Sequence, residues 1–387
     1  MTRVGVPLSV CLRLSPTVSE EAQRSALMAQ PSRTASQLSA LPIINIEPYL
    51  HTHDGKGRIS TAAALHAACL QYGFFYLDIS TFVDPSEPEE LARLAREFFA
   101  LPQAEKDKIT LANEDHARGY ARLRENVTNG KADNHEGIDF YRPVEHPDKR
   151  KPLWGENQWP TVPGFREKYE RWIEKMKALG LIVMEAMAAG LGMTPEEWSE
   201  LRTQVDDSFW VMRAIGYPPL PNGYDGYSCG AHRDYGCLTF LYADSTPGAL
   251  QVFLPQPGLV VQNPQSLSNI PKEEGVEEGM WINADPLPGC VVCNIGEMWE
   301  IWSNGLYKST LHRVIHNGSN YRVSIPFFFE PNFNALVQPL SAALRIQDDT
   351  QKMQKNGVAE KYSPVVYGEF LLRKVGSNFS TGTGKYN

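Results

Sequence analysis

Apolar residues along this chain follow two rhythms. In the first half they recur at helical spacing. Leu91, Leu94, Phe98 and Phe99 predict a helix over 89–99, and an Ala-rich pattern predicts another over 61–71 that stops at Tyr72-Gly73. The longest pattern covers 165–191. Its stripe of Trp172, Met176, Leu179, Val183, Ala186 and Met187 would back a core, and Gly192 supplies a stop. Thr194, Pro195 and Glu197 then read as N-cap, first-turn Pro and capping-box acid of a short helix. Short apolar runs at 41–46 and 74–77 predict strands. Residues 101–150 are polar and irregular, which predicts a loop-rich segment of the kind that carries function in compact domains.

From Ser208 the rhythm shortens. Runs of β-formers at 208–217, 237–243, 250–254, 289–295, 310–316 and 322–330 are separated by Gly and Pro turns. Many short strands of this kind predict a sandwich or barrel. The polar, Glu-rich stretch 256–279 reads as a loop inserted between strands, and a helix near 367–372 followed by a loose tail closes the chain. No internal repeat is visible.

Composition narrows the partners. Hydrophobic residues make up 42% and charged residues 21% of 387, enough for a sizeable core. The net charge of −8 and the pI near 5.7 argue against nucleic acid or an anionic membrane, both of which reward a basic face. No run of about 18 apolar residues suggests a membrane span. The six Cys are too scattered for a disulfide framework, and Cys290-Val291-Val292-Cys293 sits in a strand pattern that points its two thiols to opposite faces. Reduced thiols fit a cytoplasmic protein, a monomer or weak homo-oligomer acting on a small molecule. Residues 1–40 carry Arg3, Arg13, Arg24 and Arg33, no Lys, and only Glu20 and Glu21 as acids. They read as a disordered tail, with an organelle transit segment as the alternative.

The chemistry concentrates at Gly230-Ala231-His232-Arg233-Asp234-Tyr235-Gly236 and at His312. His232 and Asp234 stand two apart on an extended segment, so both reach one metal from one face. The flanking Gly230 and Gly236 would let the backbone turn tightly. Two imidazoles and one carboxylate on one face of a metal leave the other face open, the ligand set of non-haem Fe(II) oxygenases. His-x-Asp alone is weak, since an ordinary turn gives the same tripeptide. Past His312 come Arg322 and Ser324, two apart on an apolar strand and facing one way. An Arg there needs a partner, either a structural acid or the carboxylate of a ligand.

Ordered motifs on both sides carry a resemblance. Leu41 to Ile46, Tyr72-Gly73-Phe74-Phe75, Phe98 to Pro102 with Lys106, Arg118-Gly119-Tyr120 and Asn157-Gln158-Trp159-Pro160 come first. Leu250-Gln251-Val252, Asn294-Ile295-Gly296, Trp302 to Gly305, Ser309 to Val314 and Arg322 to Phe328 follow. Over roughly residues 41–375 the chain resembles the isopenicillin N synthase-like group of Fe(II)/2-oxoglutarate-dependent dioxygenases. The resemblance implies an α+β fold: a double-stranded β-helix (jelly roll) core over 206–375, with flanking helices and a mixed region over 41–205 packed on it, and a tail over 376–387.

The resemblance also implies roles. His232, Asp234 and His312 would ligate Fe(II). Arg322 and Ser324 would take the far carboxylate of 2-oxoglutarate, and O2 would be the second cosubstrate. The family's Asn-x-Tyr pair is here Ile215-Gly216-Tyr217, which keeps Tyr217 as a third contact and loses the Asn. The implied reaction is hydroxylation, desaturation or ring closure of a small molecule, with succinate and CO2 released. Arg118, Tyr120, Tyr141, Arg213, Phe240 and Phe328 are candidate substrate contacts, set against core packing for each Phe and structural ion pairs for each Arg. Rival functions are an iron oxidase of the same fold that dispenses with 2-oxoglutarate, a non-catalytic small-molecule binder, and a zinc hydrolase using the same ligands.

Overall fold

The computed structural model describes residues 41–51, 55–224, 226–255, 279–352 and 360–379. The expected tail over 1–40 and all of the expected 256–279 loop except Gly279 lie outside the described residues. Sixteen strands occur among the described residues. In chain order they are β1 (Ile43–Asn45), β2 (Phe74–Asp78), β3 (Gly119–Ala121), β4 (Val127–Thr128), β5 (Lys131–Ala132), β6 (Glu136–Tyr141), β7 (Val211–Tyr217) and β8 (Cys229–His232). There follow β9 (Leu238–Ala243), β10 (Leu250–Pro255), β11 (Gly279–Asn283), β12 (Cys290–Ile295), β13 (His312–Val314), β14 (Arg322–Phe329), β15 (Leu336–Val337) and β16 (Val365–Val366).

Eight strands form a major sheet in the order β1-β2-β12-β9-β14-β7-β6-β3, and four form a minor sheet in the order β11-β10-β13-β8. The two sheets close the jelly roll. Strand alternation sorts its two cores. On β14, Val323, Ile325, Phe327 and Phe329 join a core shared with the Phe165–Gly190 helix, while Arg322 lines the space between the sheets. Tyr76, Ile215, Val252, Ile282 and Val292 fill that inner space from both sheets. Gly180 lets the long helix lie on β14, since a Cβ there would strike the Phe329 ring.

Several expected elements are present. The Gly55–Gln71 and Ser86–Phe99 helices begin earlier than the patterns predict, and the Pro195–Arg202 helix has its capping box, with Thr194 Oγ1 accepting from Glu197 N at 3.3 Å and Glu197 Oε2 from Thr194 N at 2.9 Å. Cys293 points into the helix-side core and Cys290 toward the inner one, and both are free thiols.

The 101–150 segment differs from expectation. It supplies β3 and β6 to the major sheet. Its polar strand residues hide the pattern because they are buried in pairs. Glu136 accepts from Lys106 Nζ at 2.7 Å and from the hydroxyls of Tyr120 and Tyr321 at 2.5 and 2.8 Å. Glu136→Ala leaves the buried Lys106 charge uncompensated, which should cost about 3–5 kcal/mol. Urea denaturation checks this; a loss under about 1 kcal/mol, the scale of an exposed ion pair, would contradict it. The Glu297–Trp302 and Ser341–Lys352 helices carry no sequence expectation, and the last helix runs over Tyr367–Phe379, into the expected tail.

Candidate functional site

His232 ends β8 and His312 begins β13, and the antiparallel register sets them directly opposite, with a bulge between His312 and Val314. Their rings stand 4.2 Å apart between centroids. His232 Nε2 lies 3.7 Å and His312 Nε2 3.6 Å from Asp234 Oδ1, and one ligand atom from each of the three residues falls within 4.8 Å of the others. Backbone carbonyls set the tautomers. His232 Nδ1 donates to Gly230 O at 2.8 Å and His312 Nδ1 to Thr310 O at 3.1 Å, so both Nε2 lone pairs face Asp234. Burial pulls the His312 imidazole down to about 4, which keeps it neutral and able to ligate at neutral pH.

Asp234 is aimed by two residues that the sequence reading gave no role. Thr239 Oγ1 and Asn294 Nδ2 both donate to Oδ2, Asn294 at 2.6 Å, leaving Oδ1 for a cation. Thr239 and Asn294 are register partners on β9 and β12, so the jelly roll itself fixes this clamp. Asn294→Ala should lower Mn(II) affinity by roughly 10–100-fold while the fold stays intact, the usual cost of losing an outer-shell bond. Calorimetric titration of the variant measures this; unchanged affinity would refute the role.

The flanking glycines act differently from the sequence expectation. Neither has a positive φ. Both are needed for close approach. A Cβ on Gly230 would meet Thr128 of the β4–β5 hairpin at 2.7 Å, and one on Gly236 would overlap the Glu330 carboxyl. Asp133 Oδ1 accepts from Gly230 N at 2.8 Å and Asn129 Nδ2 donates to Ala231 O at 2.9 Å, so the hairpin segment braces the strand that carries His232. On the other side Glu330 Oε2 accepts from Cys237 N at 2.9 Å.

Asp133, His135 and Cys229 form a second compact group among the described residues. It is already satisfied. His135 Nδ1 donates to Ser228 O at 2.7 Å and Nε2 accepts from Asn126 at 3.1 Å, while Thr128 and Gly230 occupy both oxygens of Asp133.

At the inner end of the barrel Arg322, Ser324 and Tyr217 meet. Arg322 and Tyr217 are register partners, the guanidinium lies 4.8 Å from the Tyr217 ring centroid, and Ser324 Oγ stands 3.5 Å from the Tyr217 hydroxyl. Arg322 is 1% exposed, yet its Nε and Nη1 are buried without a hydrogen-bond partner among the described residues. Its neighbours along the inner cavity include Tyr76, Leu241, Ala243 and Val292. A buried guanidinium with idle donors suits an anionic group from outside the chain.

The substrate candidates separate. Arg118 is fully buried and ion-paired to Asp115, and its Nη2 donates to Arg142 O at 3.2 Å. Tyr120 is fully buried and bound to Glu136. Phe240 packs in the helix-side core, opposite in strand parity to Thr239. These three expectations are corrected: the side chains are spent on the interior. Tyr141 is half-buried on β6, with the Arg118 guanidinium 5.0 Å from its ring centroid. Phe328 shares the face of Arg322 and Ser324, is half-exposed, and is the register partner of Thr239. Arg213 stands on the Tyr217 face of β7, paired with Asp139. The structure therefore brings His232, Asp234 and His312 into one cluster, and Arg322, Ser324 and Tyr217 into another. Phe328 and Arg213 face the space between the sheets.

Comparison with known proteins defines the class. Residues 41–162 match the family model described as non-haem dioxygenase in morphine synthesis N-terminal, and residues 207–331 match the 2OG-Fe(II) oxygenase superfamily. A homoarginine-6-hydroxylase of Glycine max is 40% identical over 89% of this chain and 99% of that protein, and one of Oryza sativa is 37% identical over the same shares. The crystal structure of a full-length Neurospora crassa protein in complex with alpha-KG shares the fold, with a TM-score of 0.69 at 24% identity over 88% of this chain and 96% of that one. The chain belongs to the 2OG-Fe(II) oxygenase superfamily. It is a non-haem Fe(II)- and 2-oxoglutarate-dependent dioxygenase, and its reaction is 2-oxoglutarate-dependent hydroxylation with O2 as cosubstrate. No helix among the described residues is long and apolar enough to cross a membrane.

Proposed function

We propose that this enzyme hydroxylates the side chain of a basic α-amino acid of the homoarginine type, with His232, Asp234 and His312 holding Fe(II) and with Arg322, Ser324 and Tyr217 holding the distal carboxylate of 2-oxoglutarate. The single observation that carries the site is Arg322: a buried guanidinium with two idle donors on the inner face of the major sheet, while His312, register partner of the inward Val252, lies on the inner face of the minor sheet. Support for the substrate comes from four homoarginine-6-hydroxylases at 37–40% identity.

When bound, Fe(II) and 2-oxoglutarate supply the O2 activation that inserts an oxygen atom into a C–H bond. The chain's residues bind, orient and exclude. Gly230 O and Thr310 O hold both imidazoles with Nε2 inward. Thr239 and Asn294 keep Asp234 from turning both oxygens to the metal. Arg322 fixes one end of the keto acid. Phe74, edge-on to His312 at 5.1 Å, and the aliphatic walls keep water from the space between.

We further place the enzyme in the cytoplasm as a monomer or weak homo-oligomer, with a small molecule and neither nucleic acid nor membrane as partner. The net charge of −8 speaks against a nucleic-acid or anionic-membrane partner. The substrate is tested by incubation with Fe(II), 2-oxoglutarate and each of a panel of amino acids including homoarginine. Mass spectrometry should show one added oxygen on homoarginine. Hydroxylation of other panel members with none on homoarginine would overturn the substrate.

A further inference from the structure

Arg213 on β7 and Asp139 on β6 stand directly opposite each other in register. Arg213 Nε donates to Asp139 Oδ1 at 2.6 Å. That bond uses one of five guanidinium N–H donors and one of two carboxylate oxygens. Neither terminal nitrogen of Arg213, nor Oδ2 of Asp139, has another hydrogen-bond partner among the described residues, and none of these atoms is sealed from solvent. The side chains stay 22% and 15% exposed, on the two strands next to the β3 edge of the major sheet.

Strand parity says where that exposure faces. Met212 and Ala214 point into the helix-side core, so Arg213 points inward with Ile215 and Tyr217. Tyr217 is at the cosubstrate end. The metal end is marked by Thr239, whose register partner Phe328 is in turn the partner of Val211. By register Arg213 lies between those two levels, on the face of β7 turned toward the space between the sheets. Its charge reaches the neighbouring His135, whose imidazole is held down to about 3 by burial first and by Arg213 next.

We infer that Arg213 and Asp139 together read the α-carboxylate and α-ammonium of an amino-acid substrate, Arg213 through its terminal nitrogens and Asp139 through Oδ2. The inference rests on the amino-acid-hydroxylase reading above. The physical contrast is with Arg322. That guanidinium keeps two buried donors without a hydrogen-bond partner among the described residues and suits a lone anion. The Arg213–Asp139 pair is neutral and suits a zwitterion laid head to tail against it. A lone amine meets attraction from Asp139 and repulsion from Arg213, and a lone acid meets the reverse, so the pair rejects both.

The test uses the full chain with Fe(II) and 2-oxoglutarate and three probes. These are homoarginine, 6-guanidinohexanoate (no α-amino group) and 5-guanidinopentylamine (no carboxylate). Wild type should show KM values for both truncated probes at least about tenfold above that for homoarginine, the scale of one lost charged hydrogen bond. Arg213→Lys should raise KM for homoarginine by a similar factor and leave KM for 5-guanidinopentylamine unchanged. Asp139→Asn should raise KM for homoarginine and lower that for 6-guanidinohexanoate, whose carboxylate no longer meets the Asp139 charge. Stabilisation of both variants by Mn(II) with 2-oxoglutarate should match wild type, which separates a substrate effect from a folding defect. Equal KM values for all three probes, or homoarginine KM unchanged in both variants, would overturn the inference while leaving the homoarginine reading in place. If homoarginine is inert and another α-amino acid turns over with the same dependence on Arg213 and Asp139, the homoarginine reading fails and the zwitterion site stands. If no α-amino acid binds, the site falls with it.

Discussion

Asp234→Ala is expected to abolish turnover and to weaken metal binding by more than the ~10–100-fold that loss of an outer hydrogen bond costs. The reason is geometric. Among the described residues Asp234 Oδ1 is the carboxylate oxygen that lies within 3.7 Å of both His Nε2 atoms. Its removal leaves two imidazoles as the remaining ligand candidates of that cluster among the described residues, and it leaves Thr239 and Asn294 without their acceptor. Calorimetric titration with Mn(II) reads the affinity, and 2-oxoglutarate consumption reads the activity. A variant that still couples 2-oxoglutarate consumption to product would remove Asp234 from the ligand set.

Arg322→Leu is expected to act on the cosubstrate alone. Removing a charged partner from a buried carboxylate costs about 2–5 kcal/mol, so KM for 2-oxoglutarate should rise on the order of a hundredfold or more. Metal affinity should change little, since Arg322 contacts none of the three ligands. The ligand-free variant should be at least as stable as wild type, because Arg322 Nε and Nη1 are buried and unpartnered. Thermal denaturation with and without 2-oxoglutarate separates these effects: Tm without ligand is equal or higher, and the ligand-induced rise is lost. A fall of several degrees in the ligand-free Tm would instead make Arg322 a structural residue.

The His232-Asp234-His312 group and the meeting of Arg322, Ser324 and Tyr217 were legible because both use residue types that are expensive to bury, at spacings a strand can honour. His-x-Asp and Arg-x-Ser each need only local parity. What aims Asp234 was illegible. Thr239 and Asn294 are ordinary strand residues, and only the β9–β12 register brings them to the same oxygen. Parity also explains the substrate candidates. Phe328 is six residues beyond Arg322 and necessarily shares its face. Phe240 is one residue beyond Thr239, whose orientation is set by its bond to Asp234. Arg118 and Tyr120 stood out within a motif, yet they serve the interior through Asp115 and Glu136. The strands of the 101–150 segment were hidden by that same buried polarity. Asp139 was passed over for a similar reason: a lone acid in an irregular stretch has no visible partner until β6 is laid beside β7.

The rival iron oxidase without 2-oxoglutarate would use the same three ligands and leave Arg322 with nothing to hold. The two accounts part in the fate of O2. With heavy-isotope O2, Fe(II), 2-oxoglutarate and homoarginine, mass spectrometry of the quenched reaction should find one labelled oxygen in each succinate and one succinate for each hydroxylated product. Hydroxylated product without labelled succinate would contradict the account at its centre.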